Sequence, residues 1–101
     1  MLKSKNVTEQ RKLIAEFKEV PVVEKDEIKQ EFQVLLIKEI TGKNGKSYYL
    51  LFCVFKDGKK FKFFVNTQSV LGKNILNFNL DNIFVSLKEI LKDGRKYFIL
   101  E

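Results

Sequence analysis

Residues 48–66, YYLLFCVFKDGKKFKFFVN, carry the strongest structural signal in this chain. Two β-rich runs flank Asp57-Gly58, and an Asp-Gly pair in that position is typical of a hairpin with a two-residue type I′ turn. Such a turn places Val54 opposite Phe61 and Phe55 opposite Lys60. We therefore predict a β-hairpin over residues 48–66 with this register.

The predicted register gives the hairpin two unlike faces, because residues opposite each other on paired strands project to the same side of a sheet. One face is wholly apolar and is expected to face the core: Tyr48, Leu50, Phe52, Val54, Phe61, Phe63 and Val65. The other face mixes aromatic residues with lysines: Tyr49, Leu51, Cys53, Phe55, Lys60, Lys62, Phe64 and Asn66. A surface of the second kind is suited to stacking bases and contacting phosphates.

A three-residue loop with a bulge at Gly58 is the alternative turn. It would pair Val54 with Lys60 and Phe55 with Lys59, and would bring lysines onto the apolar face. A slip of one residue moves every side chain of a strand to the opposite face of the sheet. The cleaner separation of faces favours the two-residue turn.

Composition predicts one globular domain. The 101 residues include 45% hydrophobic and 13% aromatic residues, which excludes a wholly disordered chain. No apolar run approaches the roughly 20 residues that cross a bilayer, and no signal peptide is recognisable at the start. We expect a cytoplasmic protein, in a bacterial or an infected host cell, without membrane association. Cys53, the only cysteine, excludes an intramolecular disulfide and is expected to be a buried or half-buried hydrophobic residue.

The net charge of +6 lies wholly in the second part of the chain. Residues 1–40 hold 8 basic and 8 acidic side chains, whereas residues 41–101 hold 11 basic and 5 acidic ones. A localised basic field is the expected footprint of a polyanionic partner, although it also serves solubility.

The other segments predict a mainly β domain with a short N-terminal helix. Residues 8–19 have the pattern of an amphipathic helix that ends before Pro21, and residues 22–29 have no clear pattern. Further strands are predicted over residues 32–40, 82–91 and 96–100, with turns at 41–47 and 92–95. Residues 67–81 are expected to form a short helix or a compact loop. The register of the hairpin at Asp93-Gly94 stays open.

Five strands with a break after the third favour a five-stranded, OB-like Greek-key barrel. We assign residues 1–30 to an N-terminal helix and charged extension, and residues 31–101 to the barrel domain. A small SH3-like barrel or an open five-stranded sheet with one helix is compatible with the same pattern.

Residues 42–101 resemble the small helix-destabilising, single-stranded DNA-binding proteins of phages and plasmids. The resemblance is carried by GKNGKSY at 42–48, by Asp57-Gly58, by Phe64-Val65, and by the strand FVSL at 84–87 before a Gly-Arg turn. It implies an OB-fold that binds nucleic acid over strands two and three and the loops joining strands one–two and four–five. The residues so implied are Lys43, Lys46, Tyr49, Phe55, Lys60, Lys62, Phe64, Lys92, Arg95 and Lys96.

The resemblance implies binding of single-stranded DNA without strong sequence specificity, in phage or plasmid replication or recombination. Aromatic residues would stack on bases while lysines and arginine contact phosphates. RNA stays open as a ligand, because recognition of the 2′-hydroxyl leaves no sequence signature. A homodimer or a cooperative array is also open. The N-terminal 30 residues depart from the family, and a role in covering the barrel, self-association or protein binding is open for them.

An enzyme is disfavoured, since the chain has no histidine, no metal-ligand cluster and no Gly-rich phosphate loop before a helix. We expect no catalytic residue, cofactor or metal. The alternative function is a small protein-interaction module, either a phage-type inhibitor or an assembly subunit, with no nucleic-acid role. That alternative is supported by the N-terminal helix and by the ten phenylalanines, more than a minimal core requires. The candidate residues also have purely structural interpretations: the N-terminal helix could cover Phe55 and Phe64, the loop lysines could be solvated, and Lys60 and Lys62 could protect a sheet edge.

Overall fold

The computed structural model describes residues 7–78, 80 and 83–101, and six strands and two helices lie within them. Helix α1 spans Val7–Glu16 and helix α2 spans Val70–Ile75, with a 3₁₀ turn at Lys25–Glu27. The strands are β1 Phe32–Thr41, β2 Ser47–Phe55, β3 Lys60–Asn66, β4 Phe84–Val85, β5 Leu87–Lys92 and β6 Arg95–Leu100. The mainly β class and the short N-terminal helix are confirmed, whereas the described strands number six instead of five.

The first four strands form a Greek key. Strand β1 pairs antiparallel with β2 and β2 with β3, and β4 returns to the other edge of β1, which gives the order β3-β2-β1-β4. Three hairpin-connected strands with a fourth beside the first define this arrangement. The sheet is curled into half of a barrel, and β5 and β6 form a second, two-stranded sheet.

The sixth strand arises because the predicted fourth strand is divided at Ser86. Strand β4 pairs with β1, whereas β5 pairs with β6. Ser86 and Glu101 exchange backbone hydrogen bonds of 3.2 and 3.0 Å, so the second ladder continues to the point where the chain changes sheets. One short segment therefore joins the two sheets. Asn82, the predicted start of this strand, lies outside the described residues.

The register of the β2–β3 hairpin is shifted by one residue from the predicted one. Val54 lies opposite Lys60 and Cys53 opposite Phe61, so the prediction of a two-residue turn is wrong. Strand β3 keeps its predicted core side, but β2 is turned over. The core side of the hairpin is made of Tyr49, Leu51, Cys53, Phe61, Phe63 and Val65, all buried.

The turn itself shows how the three-residue loop forms. Gly58 has φ of 90°, while Asp57 is not among the residues with positive φ. The Phe55 N–H donates to the Lys59 carbonyl at 2.9 Å, and the Lys59 N–H donates to Asp57 Oδ1 at 3.0 Å. This is a turn closed by a bulge at glycine, which confines the left-handed conformation to the residue without a Cβ.

The core lies between the inner side of the first sheet, α2 and β6. Phe32 contacts Phe61 and Phe63 edge-on, with ring centroids 5.5 and 5.8 Å apart. The predicted short helix in residues 67–81 is α2, although residues 79 and 81 are not described. Ser69 caps α2 by accepting a hydrogen bond from the Gly72 N–H at 3.0 Å. Helix α2 thereby closes one side of the core.

The segment that precedes β1 is fastened to the sheet at two points. Helix α1 ends at Glu16, three residues earlier than predicted, and the next residue, Phe17, is fully buried against Phe52 with ring centroids 5.2 Å apart. Further along, the Lys62 N–H donates to the Pro21 carbonyl at 3.0 Å and the Val23 N–H donates to the Lys62 carbonyl at 2.9 Å. The outer edge of β3 is therefore covered by this segment.

Candidate nucleic-acid interface

The side of the β1–β2–β3 sheet that faces away from the core is called the outer face. In the observed register its members are Gln33, Leu36, Lys38, Ile40, Tyr48, Leu50, Phe52, Val54, Lys60, Lys62, Phe64 and Asn66. Lysines lie directly across from apolar residues, as where Lys62 faces Phe52 and Lys38 faces Leu50. The set includes three lysines and no carboxylate, so the outer face has the charge that attracts a polyanion.

Three of the residues implied by the resemblance lie on the outer face. Lys60, Lys62 and Phe64 alternate along β3, and Phe64 is 39% exposed. Leu50 lies opposite Phe64, and Tyr48 lies opposite Asn66 at the end of the ladder. Phe64 is therefore an accessible aromatic ring next to a lysine.

Tyr49 and Phe55 were expected on the lysine face, and this placement is wrong. Tyr49 is 7% exposed and belongs to the core cluster, while the Phe55 ring stacks on Phe61 with centroids 4.3 Å apart. The one-residue shift in register moved all of β2 to the opposite side. Phe52 therefore lies on the outer face, where the ring of Phe17 from the N-terminal segment covers the Phe52 ring.

The loop between β1 and β2 presents Lys43 and Lys46, and both are exposed. The Gly42 N–H donates to the Lys46 carbonyl at 2.7 Å, and the Lys46 N–H donates to Asn44 Oδ1 at 3.0 Å, so the loop is closed on itself. It joins the strands next to Tyr48. The two lysines therefore extend from the end of the outer face.

The β5–β6 turn presents Lys92 and Arg95 on either side of Asp93-Gly94. Lys96, the next residue, forms an ion pair of 3.3 Å with Glu89. Lys96 also lines a cleft of about 250 Å³ together with Asn66 at the end of β3. The start of β6 therefore lies at the same end of the sheet as the β1–β2 loop.

A groove of about 520 Å³ lies between α1 and the outer face. Its walls are Arg11, Ile14, Ala15, Phe17 and Lys18 from the N-terminal segment, and Lys38, Ile40, Leu50, Phe52 and Lys62 from the sheet. Four of these residues are cations and none is a carboxylate. The four cations form no ion pair with the described part of the chain, whereas the neighbouring Lys60 is paired with Glu16 at 3.7 Å.

Arg11, Lys18 and Lys38 were missed by sequence reasoning, although a signal for them exists. Arg11, Ile14 and Lys18 follow the i, i+3, i+7 spacing that puts residues on one side of a helix. Lys38 and Ile40 alternate on β1 as Lys60 and Lys62 do on β3. What the pattern could not show is that the helix packs over the sheet.

The one cysteine has no part in this interface. Cys53 is fully buried in the core, as expected for a lone thiol used as a small hydrophobic residue, and burial raises the pKa of its thiol well above the ordinary value. Within the described residues, no group of three or more Asp, Glu, His or Cys side chains is arranged to hold a metal ion. The interface therefore offers cations and apolar surface.

Comparison of the chain with protein family models, curated sequences and solved structures yields no significant match. No helix in the described part of the chain is long and apolar enough to cross a membrane.

Proposed function

We propose that the protein binds single-stranded DNA without strong sequence specificity, in the cytoplasm, as part of phage or plasmid replication or recombination. The observation that carries the proposal is the outer face, where the exposed Phe64 lies beside Lys62, which forms no ion pair within the described residues, and where none of the strand residues is a carboxylate. Stacked bases contribute about 1–3 kcal/mol each on such surfaces, and phosphate contacts supply most of the remaining affinity.

An OB-like barrel is the finer fold assignment that we propose. Its support is the Greek-key order of β1 to β4, the helix between β3 and β4, and the segment that leaves β4 to pair with β6. OB-folds bind ligands over the second and third strands and the loops that join strands one–two and four–five. The corresponding regions in this chain are the outer face, residues 42–46 and residues 93–94.

A fluorescence anisotropy titration tests the proposal. The probe is an oligothymidine strand of about 16 nucleotides, the upper end of the site size of one OB-fold, and a duplex hairpin is the comparison. We expect tighter binding of the single strand and a steep loss of affinity between about 50 and 200 mM salt. A uridine strand of equal length measures discrimination by the 2′-hydroxyl.

A matched pair of charge reversals locates the binding surface. Lys62→Glu on the outer face is expected to weaken binding by about tenfold at low salt. Lys59→Glu, in the exposed turn of the same hairpin, has the same charge change and is expected to have a small effect. Failure of the wild-type protein to bind oligothymidine at about 50 mM salt would overturn the proposal.

A protein-interaction module is the second candidate. It is favoured by apolar side chains exposed away from the outer face, above all Leu91, which is 73% exposed on β5. Analytical ultracentrifugation of wild type and Leu91→Lys tests whether this side chain supports self-association. Loss of a dimer in the variant, together with no affinity for oligothymidine, would favour this candidate.

A further inference from the structure

We propose that the bound single strand lies in the groove between α1 and the outer face, so that α1 is the second wall of the binding site. In this arrangement Arg11 and Lys18 contact phosphates from one side while Lys38 and Lys62 contact them from the other. This inference rests on the proposed single-stranded DNA binding. It assigns a role to the N-terminal segment, which the resemblance to phage and plasmid proteins does not cover.

The spacing of the four cations favours a polyanion over a ligand with one anionic head. Arg11 lies in α1, whereas Lys18 follows two residues after the end of the helix, so these two cations are spread along the N-terminal wall. Lys38 and Lys62 lie on strands separated by β2, about 10 Å apart at 4.8 Å per strand. An ion pair needs an N···O distance of about 4 Å or less, so a single head group would require all four side chains to converge on one point. Successive phosphates of a strand can contact the cations where they lie.

The surface between the cations is apolar and accessible. Ile14, which is 38% exposed, faces the groove from α1, and Ile40 and Leu50 face it from the sheet. A single strand presents base faces between its phosphates, and these pack on apolar side chains. A duplex keeps its bases inside the stack and presents mainly phosphates to such a surface. The groove therefore favours single strands over duplexes.

The attachment of α1 keeps this second wall in place. No residue of α1 itself is buried, but Phe17 directly after it is fully buried against Phe52. Lys60 adds an ion pair to Glu16, and its Nζ lies 5.8 Å from the centroid of the Phe17 ring. These contacts hold the C-terminal end of α1 on the sheet and leave the groove beside it open to a ligand.

A pair of double charge reversals tests the inference in the full chain. Arg11→Glu with Lys18→Glu removes both cations that the N-terminal segment contributes to the groove, and Lys12→Glu with Lys29→Glu changes the net charge equally at exposed positions outside the groove. Relative to the control, we expect about tenfold weaker oligothymidine binding and a salt slope smaller by about 1.4, which is about 0.7 for each lost phosphate contact on a single strand. Equal effects of the two variants would overturn the inference while leaving the proposed function intact.

A tryptophan probe reports on occupancy of the groove without altering its charge. The chain has no tryptophan, so Ile14→Trp introduces a single emitter in the groove, and Leu76→Trp introduces one at an exposed position at the end of α2, outside the groove. We expect oligothymidine to quench Ile14→Trp and not Leu76→Trp. No quenching of Ile14→Trp under saturating, anisotropy-verified binding would contradict the inference.

A single-headed amphiphile is the competing occupant, and sodium dodecanoate is its probe. A change in Ile14→Trp emission with dodecanoate but not with oligothymidine would assign the groove to amphiphiles and overturn the inference. If the wild-type protein does not bind oligothymidine at all, both the proposed function and this inference are overturned.

Discussion

The two Asp-Gly hairpins of this protein have the same turn dipeptide and different loops. At Asp93-Gly94 both residues have positive φ, 53° and 77°, and the loop between Lys92 and Arg95 has two residues. At Asp57-Gly58 only the glycine has positive φ, and the loop has three residues. The dipeptide permits either turn, so something outside the turn selects between them.

Packing is the difference between the two hairpins. The β2–β3 hairpin has core on one side and the N-terminal segment on the other, and its inner side is wholly buried. The β5–β6 hairpin packs against α2, and β5 keeps no buried residue. In the second hairpin the local preference of Asp-Gly for a two-residue turn prevails. In the first, the burial of a particular side of β2 overrides it.

The largest difference between the two hairpins is expected in the free energy of unfolding, when one side chain in each hairpin is truncated. Phe61→Ala removes a buried ring that contacts Phe32 and Phe55, and we expect a loss of about 3–5 kcal/mol in the free energy of unfolding. Leu91→Ala removes an exposed side chain and is expected to change it by less than about 0.5 kcal/mol. Urea unfolding followed by circular dichroism measures both. Equal losses would contradict the contrast in packing.

Thiol labelling gives the next largest contrast and tests the register directly. Cys53 is buried, and its raised pKa keeps the thiol protonated at pH values where a free thiol ionises. We expect iodoacetamide to label it at least about a hundredfold more slowly than the new thiol of Leu91→Cys, since thiolate exposure controls the rate. Labelling of Cys53 should become fast when urea unfolds the protein. Fast labelling in the native protein would favour the two-residue register, which puts Cys53 on the outer face.

The burial of Cys53, which raises the pKa of its thiol, also makes the free energy of unfolding depend on pH. A thiol whose pKa is raised in the folded state stabilises the protein below the pKa of the unfolded thiol, and this contribution is lost as the pH rises above about 8.5. Wild type should therefore lose more stability than Cys53→Ala between neutral and alkaline pH. If urea unfolding gave the same pH profile of stability for wild type and Cys53→Ala, this prediction would be contradicted.

A smaller difference between the two hairpins is expected in their contribution to oligothymidine affinity. Phe64→Ala on the outer face is expected to weaken oligothymidine binding by about 1–3 kcal/mol, the value of one stacked base, with a minor effect on unfolding because the ring is exposed. Leu91→Ala is the control in the other hairpin and should leave affinity unchanged. Anisotropy titrations measure both. An unchanged affinity in Phe64→Ala would remove this ring from the proposed site.

The smallest effect comes from one substitution made in both turns. Asp57→Gly loses the hydrogen bond to the Lys59 N–H and adds freedom to the unfolded chain, so we expect a loss of about 1 kcal/mol. Asp93→Gly also adds freedom, but it relieves a left-handed aspartate, so its net change should be less than about 0.5 kcal/mol. Thermal unfolding of the two variants measures the difference. Equal destabilisation would show that the two turns are alike.

Strand β3 was predictable because its lysines alternate with apolar residues, which assigns a core side unambiguously. Strand β2 was not, because Leu50, Leu51, Phe52, Cys53 and Val54 are apolar on both sides. A strand of that kind is expected where both faces are in part covered, and on the outer face Phe17 covers Phe52. Of the candidate site, the lysines and Phe64 of β3 were predictable, and the cations of α1 and β1 were not.

The sequence by itself determined the mainly β class, the N-terminal helix, both hairpins and the basic character of the second part of the chain. These follow from local preferences and periodicity. The tertiary structure decided which side of β2 is buried, where the fourth strand divides, and that α1 and the sheet enclose a cationic groove. Each of these depends on contacts between segments far apart in the chain, and such contacts leave no local pattern.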